Sequence, residues 1–221
     1  MSSSIDEAGL PATTARQTAA RRRKVPPEVR HEDKRLAILR IAAQLFAQHG
    51  YEATSLDMIG EQLGMHKATL YHYIKNKEEV LYFCLVKSFE NIDEVVERMQ
   101  DRSVPTLERL RYFARSLAHA QNSDFGRCLV MVGLRPLTNE ASVDIRRFQR
   151  KLDKTVRDLV TEGIASGELK PVAPPLFSAM LFGMFNWVPQ WFDANGKFSI
   201  DDVVDTFMNT VINGAAATPR R

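Results

Sequence analysis

At 221 residues and 44% hydrophobic content, the chain is long enough for one small and one medium domain sharing a boundary. A balance of 30 basic against 27 acidic side chains leaves a formal charge of only +3. That excludes a histone-like polycation, so any affinity for nucleic acid has to come from local clustering of charge. Cys84 and Cys128 stand far apart, without paired metal spacing, which excludes a disulfide framework; their apolar helical surroundings mark both as buried reduced thiols. No apolar run approaches the ~20 residues a membrane span requires and no signal peptide is evident, so the cytoplasm is the expected location and no membrane partner is expected.

Residues 1–30 are rich in Ser, Ala, Thr, Pro and Arg without an apolar period and read as a disordered basic tail. Within it, Arg21-Arg22-Arg23-Lys24 is either a solvated charge run or an arm that touches phosphates or the minor groove. Glu28 and His31 have Glu-x-x-His spacing, but a carboxylate-bridged metal site needs a second set, so no metal site is expected. A first helix is expected from Glu32 to His49, with Ile38, Ala42, Leu45 and Phe46 as its apolar stripe and Gly50 as its stop. On that helix, Lys34 and Arg35 are within reach of phosphates.

The stretch from Thr54 to Lys77 organises the rest. Thr54 is the expected N-cap of a short helix, with Asp57 completing a capping box and Ile59 and Leu63 on the buried face. Gly64 supplies the left-handed residue for a sharp turn. A second helix, about Lys67 to Ile74, buries Leu70 and Ile74 and turns Lys67, Ala68, Thr69, Tyr71, His72 and Lys75 outward. That face has no acidic residue from Gln62 through Lys77, and its lysines, Thr, Tyr and His bond phosphates or base edges. Two helices, a glycine turn and a polar cationic second helix describe a DNA-binding helix-turn-helix. Asn76, with Glu79 as reciprocal partner, caps the helix that follows.

Ile38-Leu39, Ala42-Ala43, Leu45-Phe46, Gly50-Tyr51, Thr54-Ser55, Ile59, Leu63-Gly64, Thr69-Leu70-Tyr71-His72-Tyr73 and Lys77-Glu78 resemble the N-terminal domain of the TetR family of transcriptional regulators. The match is continuous over about 45 residues, far more specific than a short motif. His66, where the family usually has Ser or Thr, and Ile74, in place of the usual Phe, depart from the pattern. The resemblance implies a helix-turn-helix domain over residues 31–77. Its DNA-facing set is Thr54, Ser55, His66, Lys67, Ala68, Thr69, Tyr71, His72, Tyr73, Lys75 and Lys77. Lys67, Thr69, Tyr71 and His72 are expected on bases and backbone, and Thr54, Ser55, Tyr73, Lys75 and Lys77 chiefly on phosphates. Lys77 is similar to the family's phosphate-contacting lysine.

Downstream, a long helix from Lys77 to about Met99 is the expected lever between the two domains. Pro105 opens the next, to about Gln121, and a short apolar segment spans Phe125 to Leu134. Thr138 caps a long helix to Ser166 closed by Gly167; Pro174-Pro175 starts another; Ser199, with Asp202, opens the last, to Asn213, stopped by Gly214. No strand pattern appears. The fold expected is all-α: three helices, then a six-helix ligand-binding and dimerisation domain over residues 78–216, which is the TetR-family arrangement.

Large soft apolar residues crowd this second domain, as core, as dimer seam or as the lining of a cavity. The stretches EGIASGELKP and GMFNWVPQWF resemble TetR-family regulators of fatty-acid and steroid degradation that sense acyl-CoA thioesters. The ligand set expected is Phe113, Met131, Phe148, Met184, Asn186 and Trp187, with a homodimer through the last two helices. Pro189 departs from the pattern and is expected to kink its helix. Arg127, Arg135, Arg146, Arg147 and Arg150 are candidates for CoA phosphates.

The chain lacks a phosphate-cradling glycine loop, a nucleophile elbow and a His-Glu-x-x-His helix, so no catalytic residue and no resident cofactor is expected. The function expected is a DNA-binding transcriptional regulator, a repressor released from a palindromic double-stranded operator by a small molecule, plausibly an acyl-CoA. Alternatives are a TetR-type regulator of multidrug efflux binding aromatic or cationic compounds and, more remotely, a helical adaptor that ignores DNA.

Overall fold

The computed structural model describes residues 27–213, with side chains from His31 onward, and these residues form ten helices and no strand. The Arg21–Lys24 arm, the Glu28 side chain and the Gly214 stop lie outside the described residues. The first helix, α1 (Pro27–His49), starts five residues before the expected Glu32, so the expected tail boundary at residue 30 falls inside it. Ile38, Ala42 and Phe46 are fully buried, and Gly50, at φ 83°, ends the helix with its N–H on the Phe46 carbonyl at 3.0 Å.

Next come α2 (Leu56–Gln62), α3 (Lys67–Leu70) and α4 (Lys77–Lys87). The long helix expected from Lys77 to Met99 is divided: α4 stops at Lys87 and α5 runs Ile92–Gln100. Between them the backbone tightens to i→i−3 bonds, Ser88 to Leu85, Phe89 to Val86 and Glu90 to Lys87. Ser88 Oγ also donates to the Leu85 carbonyl at 2.6 Å, competing with the helical ladder. The break rolls Phe89 inward, where its ring stacks on Phe148 at 5.3 Å. Counting α4 and α5 as one interrupted element restores the expected three-plus-six arrangement.

The remaining helices are α6 (Thr106–Asn122), α7 (Asp124–Val132), α8 (Asn139–Ser166), α9 (Pro174–Trp191) and α10 (Ile200–Asn213). Thr138 caps α8 by accepting from the Ala141 N–H, and Gly167 closes it in the left-handed region at φ 79°. Ser199 and Asp202 form the expected capping box ahead of α10, with bonds of 2.8 and 3.1 Å. Helix α9 runs through Pro189 and stops two residues later at Trp191, so the missing N–H affects only the last turn. The Pro189 carbonyl accepts from Arg127 at 2.7 Å.

Two apolar cores fill the molecule. The first joins Ile38 and Phe46 of α1, Ile59 of α2, Leu70 of α3 and Leu81 and Leu85 of α4 to Cys128 of α7 and Ile145 of α8. The domain boundary expected after Lys77 therefore divides the chain inside a continuous core. The second core packs Met99 of α5 with residues of α6, α8, α9 and α10. Both thiols are buried in the first core; burial pushes Cys128 up to about 12 and Cys84 well above its ordinary value, leaving both protonated.

Arg109, only 3% exposed, is an exception to apolar burial on α6. Its guanidinium donates to Glu162 of α8 at 2.5 Å and to the Met99 carbonyl at 3.0 Å, joining α5, α6 and α8. That hydrogen bond from Arg109 holds the Glu162 carboxyl below the usual glutamate range. Glu162 is one-third exposed, so most of the penalty for losing it is the orphaned arginine: Glu162→Ala should destabilise by about 1–3 kcal/mol in urea unfolding at pH 7. A depressed carboxylate stabilises above its unfolded pKa of about 4.3, and that contribution drains away as pH falls through the lower folded value. The difference between wild type and Glu162→Ala should therefore shrink on acidification below pH ~4.

Candidate nucleic-acid interface and ligand cavity

The cap of α2 is Ser55, whose Oγ accepts from the Met58 N–H at 3.1 Å, one residue later than expected. Thr54 is 1% exposed, with its hydroxyl donating to the Gly50 carbonyl at 2.9 Å and to Leu45 at 3.3 Å. It locks the loop after α1 and does not reach phosphate. Asp57, freed from the expected capping box, takes the Lys67 ammonium at 2.9 Å across the turn.

Helix α3 is only four residues long; Tyr71, His72 and Tyr73 continue it as a tight turn whose N–H groups bond Lys67, Thr69 and Leu70 carbonyls. His66 stands at the N-cap without a side-chain bond, as its departure from Ser or Thr foretold. Leu70 and Ile74 are buried, which forces His66, Lys67, Ala68, Thr69, Tyr71, His72 and Lys75 onto one exposed face beside Ser55. Tyr71 is 48% exposed at the centre of that face. Tyr73 is half-buried, its ring 4.5 Å from His31 of α1.

Lys77 departs from its expected role. Its ammonium donates to the Tyr51 carbonyl at 2.9 Å and lies 4.2 Å from the Tyr51 ring centroid, so it staples α4 to the loop after α1. Asn76 caps α4 through the Glu79 N–H at 2.8 Å, while the Glu79 carboxylate accepts from the Lys75 N–H rather than from Asn76.

Behind the interface lies a cavity of about 780 Å³ between the α4–α5 break, α6, the start of α7, α8 and α9. Phe89, Ile92, Phe113, Leu117, Phe125, Leu129 and Phe182 make it largely apolar; Arg40, Lys87, Glu94, Gln121 and Asn186 supply polar groups. Of the six expected ligand residues, Phe113 and Asn186 line it. Phe148 stands one layer back, against Phe89. Met184 packs into the second core, and Met131 and Trp187 face outward at 40% and 65% exposure. Helical phase explains these corrections: on α9 Phe182 and Asn186 are four apart and face inward, which turns Trp187 a hundred degrees away.

The arginines proposed for phosphates are also elsewhere. Arg127 is held by the Pro189 carbonyl, Arg146 by Ser142 and Arg147 by Asp144, and none lines the cavity. The cations on its wall are Arg40 of α1 and Lys87 at the helix break. Arg40 and Gln44 both engage Asp124 at the first turn of α7, at 3.6 and 3.0 Å. The α6–α7 turn beside them is so close that a Cβ on Gly126 would lie 1.8 Å from the Ala120 carbonyl oxygen. The sequence signal for Gln121 was its place on the face of Ala114 and Ala118, a polar residue in an apolar row.

Helix α9 carries a second surface feature: Leu176, Met180, Trp187 and Trp191 form an exposed apolar stripe, 72, 41, 65 and 49% exposed. No helix of the described residues is long and apolar enough to cross a membrane.

Residues 38–82 match the family model "Bacterial regulatory proteins, tetR family", and residues 103–215 match "Tetracyclin repressor-like, C-terminal domain". The chain belongs to the TetR family. Among its TetR-family relatives is the fatty acid metabolism regulator protein of Bacillus subtilis (strain 168), 25% identical and covering 82% of this chain and 95% of the relative. The transcriptional repressor KstR2 of Rhodococcus jostii (strain RHA1) is 26% identical, with 83% and 92% covered. The crystal structure of AibR in complex with isovaleryl coenzyme A and operator DNA superposes with a TM-score of 0.73 at 27% identity, covering 81% of this chain and 98% of that one. The protein is thus a TetR-family DNA-binding regulator, and α2 and α3 lie within the residues matched by the N-terminal family model.

Tyr71 and Thr54 now separate by role. Tyr71→Ala should weaken binding to the DNA upstream of its own gene about 10- to 100-fold in fluorescence anisotropy, without a change in melting temperature. Thr54→Val should instead lower Tm by roughly 2–4 °C in a calorimetric scan, the loss of about one buried hydrogen bond.

Proposed function

We propose that this regulator is a repressor that two protomers form together and that a CoA thioester releases from a palindromic operator. The observation that carries the ligand half of this reading is the composition of the cavity wall. One space touches the α4–α5 break, the α6–α7 turn and Arg40 of the DNA-binding domain's first helix. Its volume falls in the usual ~300–1,000 Å³ of small-molecule sites. Its apolar body suits an acyl chain, and Arg40 and Lys87, paired in the free protein with Asp124 and Glu90, are the cations that would meet the anionic end of the carrier. The names of the relatives, a fatty acid regulator and a protein crystallised with isovaleryl coenzyme A, point the same way. A ligand there acts only through its different affinity for the DNA-competent and DNA-incompetent conformers.

A second reading has one observation in its favour. Glu94 lines the cavity without an ion-pair partner among the described residues, which favours an organic cation and regulation of drug efflux. Anisotropy with upstream DNA decides between them. Isovaleryl-CoA should lower DNA affinity by about 5- to 150-fold, the usual range of coupling between two sites. Release by tetraphenylphosphonium and not by any CoA thioester would reverse the assignment.

The dimer half of the reading rests on the α9 stripe. A contiguous row of Leu176, Met180, Trp187 and Trp191 is more apolar surface than a solitary helix face retains in water. A two-fold partner packed on α9 and α10 covers it and sets two α3 faces about one DNA turn, ~34–36 Å, or a multiple apart. The double substitution Leu176→Glu with Trp187→Glu should yield a monomer in light scattering and bind a full palindrome no better than a half-site. A dimer unchanged by both substitutions would place the interface elsewhere.

A further inference from the structure

Gln121, near the end of α6, is 6% exposed and lines the cavity, with walls of Phe113, Leu117 and Phe125 nearby. Its Nε2 donates to the Oδ1 of Asn186 on α9. With the two amides so oriented, Gln121 Oε1 has no hydrogen-bond partner and almost no accessible surface, so a donor in the cavity meets it as the amide turns toward that space. A buried amide oxygen without a donor costs free energy that a bound molecule recovers by supplying one. The Asn186 end is exposed, so within this pair the unmet demand sits on Gln121.

We infer that Gln121 is the specificity-determining residue of the cavity and selects effectors that bring a hydrogen-bond donor, an O–H or N–H, to its Oε1. This rests on the thioester reading above for the carrier and extends it to the group recognised. An unsubstituted acyl thioester offers only acceptors at its head, a carbonyl oxygen and a sulfur. The donor therefore comes from one of two places: a hydroxyl on the acyl chain, or an amide N–H of the pantetheine arm.

Calorimetric titration of wild type and Gln121→Leu with two matched pairs tests this. One pair is butyryl-CoA and 3-hydroxybutyryl-CoA; the other, free of CoA, is 1-decanol and its methyl ether. Leucine keeps the volume of Gln121 and removes the acceptor, and a circular-dichroism melt verifies that the variant folds. If the acyl hydroxyl is the donor, wild type prefers 3-hydroxybutyryl-CoA by about tenfold and Gln121→Leu loses the preference. If the pantetheine amide is the donor, Gln121→Leu weakens both thioesters equally, by about tenfold. Equal or tighter binding of every ligand by Gln121→Leu overturns the inference while leaving thioester binding intact. A Gln121-dependent preference for decanol over its ether, with no thioester bound, overturns the thioester reading and leaves the inference standing. Both fall if wild type binds none of the four.

Discussion

Everything in this molecule depends on one shared apolar volume. Leu70 and Ile74, which hold the DNA-facing unit in place, are buried with Phe46 of α1 and Leu81 and Leu85 of α4. The same volume includes Cys128 of α7 and Ile145 of α8, which belong to the C-terminal half. Interiors packed at crystal-like density transmit displacement rather than absorb it. Under the proposed function, an effector that shifts the start of α7 or the α4–α5 break would act on α3 through this shared packing.

Polar groups add direction to that coupling. Asp124 at the first turn of α7 is held by Arg40 and Gln44 of α1, and Arg40 also forms part of the cavity wall. Lys77 staples α4 to the loop after α1 through the Tyr51 carbonyl, and Thr54 locks the same loop from within. The Asp124 contacts join α7 to α1, and the Lys77 contact joins α4 to the loop after α1. The exposed pairs among them contribute little to stability, since ion pairs in water are worth a fraction of a kcal/mol to about one, but they define which elements move together. The half-buried Arg109–Glu162 bond ties together the opposite end of the bundle, where α5, α6 and α8 meet.

Local signals were legible where the chain decides its own conformation. The Ser199–Asp202 box, the Thr138 cap, the left-handed Gly50, Gly64 and Gly167, and the apolar stripe of α1 all stand where the sequence placed them. So does the outward set from Lys67 to His72, because burying Leu70 and Ile74 leaves those residues no other side. Less legible were features decided by competition. Thr54 and Ser55 are both good caps, and packing against the end of α1 chose which one turned inward. The periodicity of Val80, Leu81, Cys84 and Leu85 runs on past Ser88, yet the Ser88 hydroxyl and the Phe89–Phe148 stack break the helix there.

The sequence by itself determined most of the helices and the outward face of α3, because these follow from short-range periodicity and capping chemistry, while its motifs carried the resemblance to the family. Only the tertiary structure decided which of the many aromatic and methionine side chains enclose the cavity. It sent Trp187 and Met131 to the surface, brought Arg40 from the DNA-binding half into the wall, and left Gln121 Oε1 without a donor. The reason is geometric. A cavity is a gap between helices distant in the chain, and its lining depends on crossing angles and rotations that no single helix encodes.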